Sequence, residues 1–169
     1  MTEATGHSPA AQSGGTPKSV ALAWVEAVMD RGALEAAWPL TDPTLRLVLS
    51  QYWIWSHRDQ PVVGSQEDWD ALARALAACP SEHPLWDRFA ADRVRRWREF
   101  WQGFSSRTWS VREEPEPLGV GLEVVTFVET GGPPLPARRF AMRDTPEGWL
   151  VAGLDGSALY QPGWPPSRV

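Results

Sequence analysis

Residues 118–129, LGVGLEVVTFVE, decide the fold class of this chain. Side chains alternate along an extended strand, so Val125, Phe127 and Glu129 share one face with Glu123. The other face carries Leu122, Val124, Thr126 and Val128. This second set is the more apolar, and it predicts the face that packs on the core. The carboxylates beside Phe127 are then expected to face water or to line a pocket, which makes Phe127 and Glu129 candidate site residues.

Extended segments of the same kind occupy the rest of the chain after Gly103. TWSVRE precedes residues 118–129, and ARRFAMRD and GWLVAGLD follow them, all with the alternation of a strand. Pro- and Gly-rich breaks, EPEP, TGGPPLP and TPEG, separate the four segments. Connections this short favour an antiparallel meander of four strands.

Helical patterns fill the chain before Gly103. Thr16-Pro17 and Asp42-Pro43 each combine a capping side chain with a proline at the first helical position. Apolar residues at helical spacing predict helices from Thr16 to Gly32, from Asp42 to about His57, from Ser65 to Cys79 and from about Pro84 to Trp101. Helices followed by strands indicate an α+β fold, in which N-terminal helices pack on a curved antiparallel sheet.

The length of 169 residues and the hydrophobic content of 43% suit one domain, predicted over residues 16–157. Residues 1–15 are small and polar without periodicity, which predicts a disordered N-terminal tail. Residues 158–169 are too rich in proline for regular structure, although Tyr160 and Trp164 could attach this C-terminal tail to the domain.

Composition argues against several classes of protein. The net charge of -5 is unsuited to nucleic acid, whose phosphates require concentrated Lys and Arg. No apolar run reaches the length of a membrane span, and no export signal is recognisable, so no membrane partner is expected. The single cysteine, Cys79, excludes an internal disulfide and suits a reducing cytoplasm. The single lysine and the absence of asparagine match a GC-rich bacterial genome.

No cofactor is predicted from the sequence. The chain has no GxGxxG, phosphate loop, HExxH or GxSxG pattern, so nucleotide-dependent, zinc-hydrolytic and common nucleophilic mechanisms lack their signatures. A proton-transfer enzyme that uses no cofactor leaves no such pattern, and this alternative stays open.

Two segments resemble the nuclear transport factor two-like superfamily, which includes ketosteroid isomerases and SnoaL-like polyketide cyclases. They are AWVEAVMDRGALEAAWPLTDP at residues 23–43 and EGWLVAGLDG at residues 147–156, the latter following the strand RRFAMRD. The resemblance implies a cystatin-like cone, a strongly bent sheet that encloses a pocket with its covering helices. It also allows a homodimer formed through the sheet. Catalytic members place an Asp base and Tyr or Asp donors in the pocket, and no residue here matches those positions.

The helix predicted after Asp42 carries one group of candidate site residues. At 100° per residue, Tyr52 and Trp53 lie on a broad apolar face, which favours burial in the core over contact with a ligand. Arg46, Ser50 and His57 form a line along its polar edge. If this edge faces a pocket, the arginine could bind a carboxylate and the histidine could act as an acid or base. If it faces solvent, these are ordinary surface groups.

The last predicted helix carries a second group. Arg93 falls within its apolar arc, close to Trp97. A charge there must reach solvent, stack on a ring such as Trp97, or pair with a carboxylate. An internal ion pair with Glu123 or Glu129, tying helix to sheet, is the favoured interpretation, and an anion-binding site is the alternative.

The expected function is therefore non-enzymatic binding of a small apolar or acidic molecule, or of a protein partner, through a Trp-rich cone. One alternative is an isomerase, cyclase or dehydratase in which His57 or Glu129 is the base and Arg46 or Arg93 stabilises the negative charge. The other is a homodimeric interaction module.

Overall fold

The computed structural model describes residues 15–131, 136–156 and 159–166, and its fold is α+β. The helices are α1 (Pro17–Val25), α2 (Leu34–Ala37), α3 (Pro43–Ser56), α4 (Pro61–Gly64), α5 (Trp69–Ala77) and α6 (Trp86–Phe100). The strands are β1 (Trp109–Val111), β2 (Glu116–Gly119), β3 (Leu122–Glu129), β4 (Arg138–Thr145) and β5 (Gly148–Gly153). The predicted N-terminal tail lies outside the described residues apart from Gly15, as do residues 158 and 167–169 of the predicted C-terminal tail.

Both predicted cap-and-proline helix starts are confirmed. The Thr16 side chain accepts the Ser19 N–H at 3.2 Å before α1, and the Asp42 carboxylate accepts the Thr44 N–H at 2.8 Å before α3. The helix α1 continues as a π-helical segment, Glu26–Arg31, which ends at Gly32 with a φ of +72°. That left-handed conformation favours glycine, so the predicted stop is also confirmed.

The predicted helix start at Ser65 is wrong. Asp68 caps α5 instead, because its Oδ1 accepts the Ala71 N–H at 2.8 Å. Ser65 lies at the C-terminal end of the short helix α4, where its N–H bonds to the Pro61 carbonyl. A carboxylate at this cap also complements the positive end of the helix dipole.

The sheet has five antiparallel strands rather than the predicted four. Its order is β1-β3-β4-β5, and β2 also pairs with β3. β1 pairs with the end of β3 and β2 with its beginning, so the two short strands share one edge. β2 takes its first two residues from the predicted EPEP break and its last two from the predicted strand over residues 118–129, which therefore divides into β2 and β3. Its Pro117 is compatible with a strand because an edge strand needs ladder bonds on one side only.

The predicted alternation of β3 is present, but the choice of core face is wrong. Val125 and Phe127 pack in the hydrophobic core, where the Phe127 and Phe140 rings lie 5.2 Å apart. Val124 and Thr126 are buried on the opposite face of the sheet. The salt bridge between Glu116 of β2 and Arg139 of β4, at 2.7 Å, spans β3 on this face. Glu116 pairs with Val124 and Arg139 with Thr126 in the register of the sheet, so these long charged side chains lie beside the two residues on this face.

Aromatic rings fill the space between the helices and the sheet. Trp24 of α1 makes edge-to-face contacts with Trp97 of α6 at 5.2 Å and with Phe140 of β4 at 5.4 Å. Its Nε1 donates to the Thr41 hydroxyl at 3.0 Å, which satisfies the buried indole N–H. The ring centres of Trp101 and Phe140 lie 5.8 Å apart, so Trp101 continues the aromatic layer. These contacts make Trp24 the ring that joins α1, α6 and the sheet.

We expect Trp24→Ala to lower the free energy of unfolding by about 3–5 kcal/mol, the usual effect of removing a large buried ring. Urea denaturation followed by circular dichroism measures this change. Phe100→Ala is the matched control because Phe100 is 68% exposed, and it should cost less than about 1 kcal/mol. Equal losses for the two variants would contradict this description of the core.

Candidate functional site

A cavity of about 590 Å³ lies between α3, α6 and the chain that follows β5. The described residues that line it are Tyr52, Arg93, Arg96, Trp97, Glu99, Phe100, Trp101, Leu154, Asp155 and Tyr160. Five of these ten residues come from α6 and Trp101 follows it directly, so this helix forms the principal wall.

The sequence of α6 places its cavity residues on one stripe. Arg93, Arg96, Trp97 and Phe100 have the spacing i, i+3, i+4 and i+7, which repeats one face of an α-helix. Two arginines therefore lie among aromatic side chains on a single wall. Arg95 lies off this stripe on the exposed side of α6.

Arg93 is the most unusual residue of this wall, because it is charged and only 2% exposed. Its guanidinium carbon lies 4.8 Å from the Trp97 ring centre and 5.5 Å from the Tyr52 ring centre. Its Nε is buried without a hydrogen-bond partner in the described part of the chain. Among the residues that the structure describes, no ion pair includes Arg93, so the favoured interpretation of a pair with Glu123 or Glu129 is wrong. The rings of α3 and α6 hold the guanidinium instead.

Burial makes this charge costly. Desolvation, followed by repulsion from Arg96, lowers the pKa of Arg93 from its ordinary value to about 10, and the favourable influences of Tyr52 and Asp92 are smaller. The unfolded chain thus binds more protons between this lowered pKa and the ordinary one, so stability rises with pH through that interval. Below pH 10 the side chain is charged in both states, and its burial opposes folding by on the order of 3 kcal/mol. The cation–π contacts offset part of this cost.

The neighbouring charges are compensated by one another. Nε of Arg96 lies 2.9 Å from Oδ2 of Asp92, an ion pair whose angles fall outside hydrogen-bond geometry. Nη2 of Arg95 donates to the other Asp92 oxygen at 2.6 Å, and its Nη1 donates to Glu99 at 2.9 Å. These pairs leave Arg93 as the uncompensated cation among the described residues that line the cavity.

Two neutral donors also belong to the cavity wall. The Nε1 of Trp101 is buried, and no described residue accepts a hydrogen bond from it. Burial, with the nearby charge of Asp155, raises the pKa of Tyr160, so its phenol keeps its proton at neutral pH. The cavity therefore combines one buried cation and neutral donors with apolar walls, a composition that suits an anion attached to an apolar body.

The structure brings together three of the residues proposed from the sequence, Tyr52, Arg93 and Trp97. The other five, which are Arg46, Ser50, Trp53, His57 and Phe127, do not line this cavity. Ser50 donates to the Arg46 carbonyl at 2.9 Å within α3, and Trp53 and Phe127 are buried in the core. The Nε and Nη1 atoms of Arg46 are buried without a hydrogen-bond partner, away from the cavity lining.

Neither proposed base lines the cavity. The Nδ1 of His57 lies 2.8 Å from the Trp53 carbonyl, which only accepts, so Nδ1 carries the proton. Its Nε2 lies 3.7 Å from Oδ2 of Asp92. Glu129 ends β3 and pairs with Trp109 in the register of the sheet.

Sequence reasoning missed Arg96, Trp101 and Tyr160 as cavity residues. The stripe on α6 could have shown the first, because Arg96 follows Arg93 by three residues. Tyr160 comes from an irregular segment whose position no periodicity predicts.

Metal sites, membrane-spanning helices and similarity to known proteins give no functional assignment for this chain. Across residues 15–131, 136–156 and 159–166, no group of three or more His, Cys, Asp or Glu side chains is placed to hold a metal ion. No helix of the described chain is long and apolar enough to cross a membrane. No protein-family model, curated protein or solved structure matches the sequence.

We expect Arg93→Met to raise the free energy of unfolding of the unliganded protein at pH 7 by about 1–2 kcal/mol, because it removes a desolvated charge and keeps an apolar stem of similar length. Chemical denaturation measures the change. The control is Arg95→Met, which removes an exposed charge from the same helix and should shift stability by less than about 1 kcal/mol. A loss of stability in Arg93→Met beyond that of the control would show that the charge is compensated within the fold.

Proposed function

We propose that this chain binds a small organic anion in the cavity between α3 and α6, with Arg93 as its anchor. The observation that carries the proposal is the buried guanidinium of Arg93, which lies over the Tyr52 and Trp97 rings and pairs with no carboxylate among the described residues. Proteins rarely bury a charge without a partner, because desolvation is costly. A bound anion supplies the missing charge.

The size and walls of the cavity support a ligand with an apolar body. Its volume of about 590 Å³ falls within the range of small-molecule sites. Trp97, Phe100, Trp101 and Leu154 provide apolar surface beside the cation. Binding is proposed rather than catalysis because His57 and Glu129, the two candidate bases, do not belong to this wall.

The proposal extends to the family. Helices that precede an antiparallel sheet fit a nuclear transport factor two-like cone, and the register shifts between Pro117 and Gly119 and between Ala141 and Met142 fit a bent sheet. In this reading the aromatic core occupies the interior of the cone, and the ligand binds beside it. A bacterial and cytoplasmic origin is part of the same proposal and rests on composition alone.

Isothermal titration with 2-naphthoate tests the proposal. This probe joins one carboxylate to a flat apolar ring system that is small enough for the cavity. We expect saturable binding at one site per chain, and we expect Arg93→Met to weaken it at least tenfold, the effect of losing one charge-assisted contact.

Arg107→Met is the matched control, since it removes the same charge from an exposed side chain outside the cavity lining. Its Kd should stay within about twofold of the parent value. The absence of saturable binding up to about 1 mM, or equal weakening in both variants, would contradict the proposal.

A further inference from the structure

The charged side chains around the cavity indicate how many negative charges a ligand should carry. The described lining residues include two cations, Arg93 and Arg96, and two anions, Glu99 and Asp155. Arg96 pairs with Asp92, and Glu99 pairs with Arg95. One buried cation therefore remains without compensation, while Asp155 is exposed.

Phosphate recognition requires more than this wall provides. A phosphate is usually bound by several cations or by the free N–H groups of a helix N-terminus. The helix α6 begins at Trp86, about two turns before Arg93, and its lining residues start at Arg93. The wall that α6 contributes therefore presents side chains rather than free helix amides.

The position of Arg93 favours a flat partner. Its guanidinium carbon lies over the Trp97 ring, 4.8 Å from the ring centre, and a guanidinium placed over a ring donates from the N–H groups at its edge. A carboxylate matches that edge with two parallel hydrogen bonds. The neighbouring ring surfaces of Phe100 and Trp101 suit an aromatic body, since aromatic pairs gain about 0.5–1.5 kcal/mol beyond the area they bury.

Asp155 adds a repulsive element on the cavity wall. Its carboxylate disfavours a second negative charge on the ligand, and it also helps to keep the Tyr160 phenol neutral. We infer that the site selects aromatic monocarboxylates over dianions such as phosphate monoesters, an inference that rests on the proposed function.

Titration of the full chain at pH 8 with three probes of similar shape tests this inference. The probes are 2-naphthoate, 2-naphthyl phosphate and 2-naphthalenemethanol. At this pH the phosphate monoester carries close to two negative charges, because its second pKa is about 6. We expect 2-naphthoate to bind at least tenfold more tightly than either of the other two.

The outcomes separate the inference from the proposed function. Tighter binding of 2-naphthyl phosphate would overturn the selection of monocarboxylates and leave an anion site in place. Equal binding of the alcohol and the carboxylate would remove the role of Arg93 as an anchor and overturn both. No binding of any probe would overturn the proposed function itself.

A variant isolates the repulsive element. Asp155→Asn changes an exposed residue and should improve the affinity for 2-naphthyl phosphate about threefold more than that for 2-naphthoate. The ratio of the two Kd values is the readout, so a general loss of folded protein does not imitate the effect. An unchanged ratio would overturn the part assigned to Asp155.

Discussion

Aromatic packing between the helices and the sheet is the constraint on which the remaining structure depends. Trp24 contacts Trp97 and Phe140 at once, so the position of α6 relative to the sheet follows from ring contacts rather than from ion pairs. Because rings occupy the centre, the cavity forms at the flank, where α6 meets α3 and the chain after β5. The same tryptophan, Trp97, forms part of both the core and the cavity wall.

Arg93 lies where this aromatic layer ends. A charge at such a position opposes folding, and an apolar side chain there would serve the core better. Sites that bind ligands commonly retain features that cost stability, because the ligand supplies the missing interaction. The compensated pairs around it, Arg96 with Asp92 and Arg95 with Glu99, show that the chain has carboxylates nearby and places them elsewhere. This contrast between the paired arginines and the unpaired Arg93 is the strongest reason to assign Arg93 a binding role.

Local sequence signals predicted most of the helices and strands. The features that depend on tertiary contacts could not be predicted in this way. Thr16 and Asp42 marked helix starts because a cap and its proline act within a few residues. Alternation located β3, but the face that packs on the core depended on contacts of Phe127 with rings elsewhere in the chain, Phe104 and Phe140. At the site, helical spacing placed Arg93 within an apolar arc and so identified it as a candidate residue. The contribution of Tyr160 could not be predicted, because it lies in a segment without regular structure.

The central claim is that the Nε–H of Arg93 is free until an anion binds, and NMR of the arginine Nε–H signals tests it most directly. The Arg93 signal is assigned by its loss in Arg93→Lys. We expect it to move downfield on addition of 2-naphthoate, with slowed exchange, since a new charge-assisted hydrogen bond forms. The Arg95 signal should stay in place, because that side chain is already paired on the exposed face. An unchanged Arg93 signal at saturating probe would contradict the account.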